Sequence, residues 1–337
     1  MPHSLDPIKT GTQIISAKGI REAAARISGH ALVTPLIEND LLNQRCGGRI
    51  LMKAEILQHC GSFKFRGAFN RLTKLAADKN TKGVLGWSSG NHAQGVARAA
   101  HHYNIPAIII MPEDAPALKM EKVRAYGAEI ITYDRYNDDR EAISLPIAQE
   151  KEYSLVPSYD HKDIIEGQGT IALEVFEQAK AKGLTLDEFV TCCGGGGLTA
   201  GCATMLAEIS PDTAITITEP EGFGESWLSI KTGKRQYADI TQHTLCDAIA
   251  TPTPGKLTLP IMQKLVSNGV TVNEREVCEA VIFAYKYLKL VLEPGGAVAL
   301  AAILSGKIDL QDRTIGLTLS GGNIDTDLFA DIVKKYS

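Results

Sequence analysis

Cysteine is scarce and unpatterned in this chain of 337 residues. Cys46, Cys60, Cys192, Cys193, Cys202, Cys246 and Cys278 form an odd set with irregular spacing and no C-x-x-C. That argues against a disulfide framework and a zinc site. The thiols read as small buried hydrophobes of a reducing compartment. A basic surplus is lacking too, since the formal net charge is −4. This removes the electrostatic footprint of a nucleic-acid or anionic-membrane binder. No apolar run approaches the ~20 residues that cross a bilayer, and the opening MPHSLDPIKTGTQ has no signal-peptide core. Low-complexity tracts and short repeats are absent. The expectation is a cytoplasmic protein whose partner is a small molecule, not a nucleic acid or a membrane.

Apolar residues make up 44% of the chain, ample for a sizeable core. The length suggests about two domains or one large α/β unit. Short β-rich runs alternate with helical ones. VLGW (84–87), AIIIM (107–111), AEIITY (128–133), FVTCC (189–193), AITITE (214–219) and IGLTLS (315–320) read as strands. An Ala-rich helix is expected from Ala93 to His102, and another over 118–127, ending at Gly127. Alternation of this kind predicts parallel βαβ units, whose ligands sit at the carboxyl ends of the strands. Three Gly-containing loops fall there: Ser88–His92, Gly194–Leu198 and Ser320–Asn323.

The run Gly194-Gly195-Gly196-Gly197-Leu198 joins a strand to a helix. Glycines let backbone N–H groups approach a ligand, and a helix N-terminus favours an anion such as phosphate. Gly195, Gly197 and Ala200 also fit G-x-G-x-x-A, with Glu219 ending the next strand. That leaves a nicotinamide-dependent dehydrogenase as a rival reading. Lys64 stands between Phe63 and Phe65 in GSFKFRGA. An apolar setting lowers a lysine pKa and makes it a better nucleophile and base. Ser88-Ser89-Gly90-Asn91-His92 opens a second helix and suits another anion, such as a carboxylate, although its polar residues could equally be plain helix caps.

SFKFRGA, SSGNHAQG, CCGGGGLTAG, EPGGAVALAA and LTLSGGN follow one another in this order. Together they resemble the fold-type II pyridoxal-phosphate enzymes, in the branch of serine/threonine dehydratases and serine racemases, over nearly the whole chain. The resemblance implies an α/β fold like tryptophan synthase β, with two open, twisted, mostly parallel sheets flanked by helices. A small mobile domain is expected at 83–158, beside a large cofactor-binding domain of 1–82 and 159–337. Lys64 is implied to carry pyridoxal 5'-phosphate as a Schiff base and to act as the base. Phe63 would pack on the ring, Asn91 would meet its hydroxyl, and Ser320 would face the pyridine nitrogen. Gly194, Gly195, Gly196, Gly197 and Leu198 would hold the phosphate. Ser62, Ser88, Ser89, Asn91 and His92 would surround the substrate carboxylate. Ser89 would be a second acid/base for racemisation. Glu219, Glu225 and the Phe223 carbonyl would hold Mg²⁺ or Ca²⁺.

Two departures stand out. Ala248 follows Asp247 where the family often has glycine, which bears on pocket shape. The chain also ends soon after SGGN, so feedback inhibition through a C-terminal regulatory domain is not expected. The implied activity is dehydration and deamination of a small β-hydroxy amino acid, such as L-threonine or L-serine. A serine racemase or a 3-hydroxyaspartate ammonia-lyase is the alternative, and a homodimer is the implied assembly.

Overall fold

A computed structural model describes residues 15–88, 90–135, 137–239 and 241–337. Ten strands are described: β1 (Leu36–Ile37), β2 (Arg49–Ala54), β3 (Val84–Trp87), β4 (Ala107–Pro112), β5 (Glu129–Tyr133), β6 (Ser154–Leu155), β7 (Glu188–Cys192), β8 (Ala214–Pro220), β9 (Asn268–Val272) and β10 (Thr314–Leu319). They form a six-stranded sheet of order β1-β2-β10-β7-β8-β9 and a four-stranded sheet of order β5-β4-β3-β6. All pairings are parallel except β1 with β2. The architecture is the two-sheet α/β fold expected from the sequence. Its central strands, such as Phe189-Val190 of β7 and Ile108-Ile109-Ile110 of β4, are buried on both faces. Parallel sheets covered by helices on both sides read this way.

The helix Lys64–Ala77 ties the two sheets together. At its start, the Phe63 N–H donates to the Ser320 carbonyl, just past the end of β10. Further along, Phe65, Phe69, Leu72 and Leu75 join Val84, Val96, Ala97 and Ile109 in the core of the four-stranded unit. Gly67 and Gly167 let this helix touch the helix Lys162–Ala181 backbone to backbone: a Cβ at Gly167 would lie 2.6 Å from the Gly67 Cα. Lys64 is thus fixed at the seam between the units. The carboxyl ends of β3, β7 and β10 lead into Ser88, Gly194 and Ser320.

Candidate active site

Lys64 begins its helix directly after a turn in which Cys60 (φ 61°) and Gly61 (φ 69°) are both left-handed. Two residues on, the Arg66 guanidinium is wholly buried. It takes Glu55 on one side, with Nε and Nη2 each 2.8 Å from a carboxylate oxygen. It takes Glu174 on the other, at 2.6 and 2.8 Å. Glu174 is also 2.6 Å from Lys53 Nζ. Bidentate pairs resist rotation, so the network pins the first turn and aims Lys64. Lys64 Nζ donates to the Ser158 carbonyl at 2.9 Å and lies 5.1 Å from the centre of the Phe63 ring. Burial lowers its pKa to about 8, against the opposing effect of Cys192 and Glu293. At pH 7 roughly a tenth of the amine is therefore free to attack a carbonyl, far more than for an ordinary lysine.

A cavity opens beside this amine, bordered by Phe63, Gly194–Leu198, Ser88, Asn91 and His92. The glycine run links β7 to the helix Gly197–Ile209, whose N-terminus no side chain caps. Its first N–H groups have no intrahelical acceptor, so this rim attracts an anion. Each glycine is also demanded by the protein around it. A Cβ at Gly194 would meet the Ile249 carbonyl at 2.7 Å, and one at Gly195 the Tyr159 ring at 2.4 Å. Gly196 adopts φ 88°, and Gly197 packs on Tyr159. The run is both a tight turn and a cradle.

Asn91 is buried at the start of the helix Asn91–Tyr103. Its Nδ2 donates to Glu293 Oε1, and its Oδ1 accepts from Asn323 Nδ2 at 2.8 Å. Ser88 Oγ accepts from the Gly90 N–H at 3.1 Å, stiffening the loop. His92 Nε2 pairs with the Val156 carbonyl at 2.8 Å, and its Nδ1 is buried without a partner. Burial first, and Lys64 second, lower its pKa to about 3. His92 is thus a neutral hydrogen-bonding group at physiological pH. Ser89 lies outside the described residues. Ser62 and Ser320 are both buried: Ser62 precedes the cavity-lining Phe63 and pairs with Gly321, the residue after Ser320. Ser320 Oγ accepts from Cys192 Sγ at 3.2 Å, and Cys192 does line the cavity. Ser62 Oγ is buried without a partner among the described residues.

Glu219, at the end of β8, is buried, and its two oxygens accept from the Ser226 and Trp227 N–H groups, both at 2.9 Å. It caps the helix Glu225–Thr232, a structural use that accounts for an acid at the end of this strand without a cofactor ribose. Glu225 is buried beside it, with Oε2 unpartnered. Burial raises both carboxyls, Glu219 to about 8 with a further push from Glu225, and Glu225 to about 7. Phe223 is buried nearby and lines a second cleft. Among the described residues no group of three or more His, Cys, Asp or Glu is placed to hold a metal. No helix among them is long and apolar enough to cross a membrane, and the seven cysteines are free thiols.

Three residues at the site carry no motif signal. Arg140 and Tyr159 border the cavity from outside the glycine and serine loops. Lys119 crosses against the serine loop, within 3.1 Å of where a Gly90 Cβ would stand. Single polar residues in helices and loops have no pattern to betray them. The Pro-Glu-Asp-Ala-Pro turn before Lys119 and the Asp-Asp-Arg run at Arg140 are sequence cues only once the β-strands around them are placed.

The chain is similar to known proteins over nearly its whole length. The family profile described as "Pyridoxal-phosphate dependent enzyme" matches residues 27–321. An L-threo-3-hydroxyaspartate ammonia-lyase of Pseudomonas sp is 38% identical, over 96% of this chain and 99% of that one. A serine racemase of Schizosaccharomyces pombe is 36% identical, over 94% and 96%. The crystal structure of a T.th. threonine deaminase superposes with a TM-score of 0.86 at 39% identity, covering 92% of this chain and 99% of that one. The residues present fit the cofactor these names imply. Lys64 offers an amine for its aldehyde, the uncapped glycine helix offers an anion cradle, and Ser62 Oγ and His92 Nδ1 are buried polar atoms without partners. The chain belongs to the pyridoxal-phosphate dependent enzyme family.

Proposed function

We propose that this protein removes water from a small β-hydroxy amino acid and releases a 2-oxo acid and ammonia. Lys64 carries the reading, as a buried, partly deprotonated amine at the meeting point of the glycine and serine loops. Bound pyridoxal phosphate supplies the electron sink that makes loss of a Cα proton feasible. The Lys64 amine binds the cofactor and takes that proton. The N–H groups of Gly194–Leu198 hold the phosphate, and Phe63 covers the ring. Asn91, oriented by Glu293 and Asn323, meets the ring hydroxyl. Ser320, a neutral group, would face the pyridine nitrogen and would not hold it protonated, a setting that favours loss of the β-hydroxyl. Ser62, Ser88, Ser89, Asn91 and neutral His92 hold the substrate carboxylate. The 83–158 unit closes over them and excludes water. The test is a panel of L- and D-serine, threonine and 3-hydroxyaspartate, assayed for 2-oxo acid, ammonia and enantiomer. No 2-oxo acid from any member would end this reading.

Among these substrates, Arg140 favours a β-carboxylate. It borders both the cavity and the adjoining cleft of about 810 Å³. Among the described residues no carboxylate or carbonyl pairs with its guanidinium. A planar guanidinium suits a carboxylate bidentately, and the Pseudomonas relative is named for L-threo-3-hydroxyaspartate. That amino acid is the preferred substrate in this account.

A racemase side activity is the second reading, favoured by the Ser88-Ser89 pair and by the fission-yeast relative named a serine racemase. Lys64 serves one face of the substrate Cα, and Ser89 would deliver a proton to the other. Ser89→Ala is expected to abolish interconversion of L- and D-serine while retaining much of the L-dehydratase rate. An alanine variant that still racemises at the wild-type rate removes Ser89 from this role.

Glu219, Glu225 and the Phe223 carbonyl are proposed to hold Mg²⁺ or Ca²⁺, because two buried carboxylates lie together and Glu225 Oε2 lacks a partner. Hard oxygen ligands suit such a cation. Saturating Ca²⁺ is expected to raise the melting temperature of the EDTA-treated protein by about 4 °C or more, as ligand binding to the native state requires. Glu225→Gln should lose that rise. Indifference to both cations contradicts the site. A cytoplasmic homodimer completes the proposal. Leu32, Val33 and Leu57 are exposed, Leu32 is tied through its backbone to the side chain of Gln58, the neighbour of Leu57, and these residues supply apolar surface for it.

A further inference from the structure

Among the polar contacts between the two sheet units, two meet at one buried carboxylate. Glu293 precedes the helix Pro294–Leu304, which packs on β7, β8 and β10 of the six-stranded unit. Its side chain reaches the four-stranded unit, where Oε1 accepts from Asn91 Nδ2. Its Oε2 has no hydrogen-bond partner and lies 3.8 Å from Lys119 Nζ. Lys119 belongs to the helix Ala117–Ala125 of the four-stranded unit and is 5% exposed. The same ammonium is 3.2 Å from Asp247 Oδ2, in the segment between β8 and β9. The Lys119 stem runs across Gly90, where a Cβ would stand 2.5 Å from its Cδ. Any side chain at position 90 would block that path.

We propose that Lys119 is a positioning residue that clamps Gly90 and Asn91, at the start of the helix Asn91–Tyr103, to the six-stranded unit through Asp247 and Glu293, and so holds Asn91 on the cavity. Only the functional consequence of the clamp rests on the reading of this cavity as the reaction site; the clamp itself is a matter of geometry.

A buried carboxylate demands a counter-charge, and Lys119 is the cation nearest to Glu293 that comes from the opposite unit. Burial raises the Glu293 pKa while Lys119 opposes that rise, so the ammonium helps keep the acceptor of Asn91 ionised. Asp247, Lys64 and Cys192 are the other titratable groups that act on Glu293 or are acted on by it. Both ion pairs join residues of different units, so separation of the units breaks them together. Their stabilisation therefore belongs to the closed arrangement alone, and removing it shifts the population toward open states. The loop backbone follows, because the Lys119 stem lies directly against Gly90.

Lys119 also borders the cavity, so a direct role in binding substrate must be separated from the clamp. Amide exchange measured on the substrate-free holoenzyme does this. Lys119→Met is expected to speed exchange of the peptide covering residues 84–96 by about tenfold, with little change in peptides from β7 and β8. Asp247→Asn should act in the same direction. The double variant should add little to Lys119→Met, since Lys119→Met already removes the contact to Asp247 together with that to Glu293. Lys119→Arg should restore most of the protection. Wild-type exchange in Lys119→Met, or effects of the two substitutions that simply add, would overturn the clamp. If Lys119→Met does not fold, wild-type exchange in Asp247→Asn overturns it equally. Because exchange needs no turnover, a failure here leaves the proposed reaction standing, and a failure of the reaction leaves the clamp measurable.

Discussion

Replacing Lys64 with alanine is expected to lower turnover of every substrate by ~10⁴-fold or more. On the proposed role of Lys64, two functions leave with one amine: the covalent hold on the cofactor and the base for the Cα proton. General-base catalysis alone contributes roughly 10² to 10⁴, and the loss of the covalent partner removes the step that base serves. Folding should persist. Truncating Lys64 deletes one hydrogen bond to the Ser158 carbonyl, whereas the Arg66–Glu55–Glu174 network that fixes the same turn is untouched. Steady-state assays of 2-oxo acid release, read beside a thermal melt, check both halves. Residual turnover within about tenfold of wild type in a folded variant would remove Lys64 from the chemistry.

Arg140→Gln is expected to lower kcat/KM for L-threo-3-hydroxyaspartate about 100-fold, and that for L-serine by less than about threefold. A charge-assisted bidentate contact is worth ~1.5–3 kcal/mol, and about 2.7 kcal/mol corresponds to the larger ratio. L-Serine has no second carboxylate to lose, so the change in ratio reports on the β-carboxylate and excludes a general defect. Equal losses on both substrates would assign Arg140 to the fold or to the shared α-carboxylate. A preserved ratio with no loss would place the β-carboxylate elsewhere.

Much of this site is legible in the sequence because glycine and lysine are unusual where they stand. Four glycines after FVTCC have few uses other than a tight turn that exposes N–H groups, and the structure places them between β7 and a helix. The strands VLGW and AIIIM are recognisable because Val84-Leu85 of β3 and Ala107–Met111 of β4 are buried, apolar and rich in β-branched residues. β2 is different. Its sequence RILMKA carries Lys53 at a fully buried position, and partners remote along the chain, Glu174, Gln178 and the Thr34 carbonyl, make that tolerable. β9, NGVTV, is half-exposed and contains a glycine, so it lacks the pattern of a central strand. The helix expected from Ala93 begins at Asn91 instead, because Asn91 is drawn into the first turn by contacts to Glu293 and Asn323. Lys119 and Glu293 escape sequence reasoning for a related reason: their partners come from the other sheet unit, and no local spacing records an inter-unit contact. Arg140 escapes it as a lone basic residue at the start of a helix.

The most direct test is the chemical state of Lys64 in the purified enzyme. Borohydride treatment followed by peptide mass analysis should place a reduced pyridoxyl phosphate group on the peptide containing Lys64, and the visible absorbance of the protein should vanish with it. An unmodified Lys64 peptide, or the added mass on another lysine such as Lys119, would contradict the account.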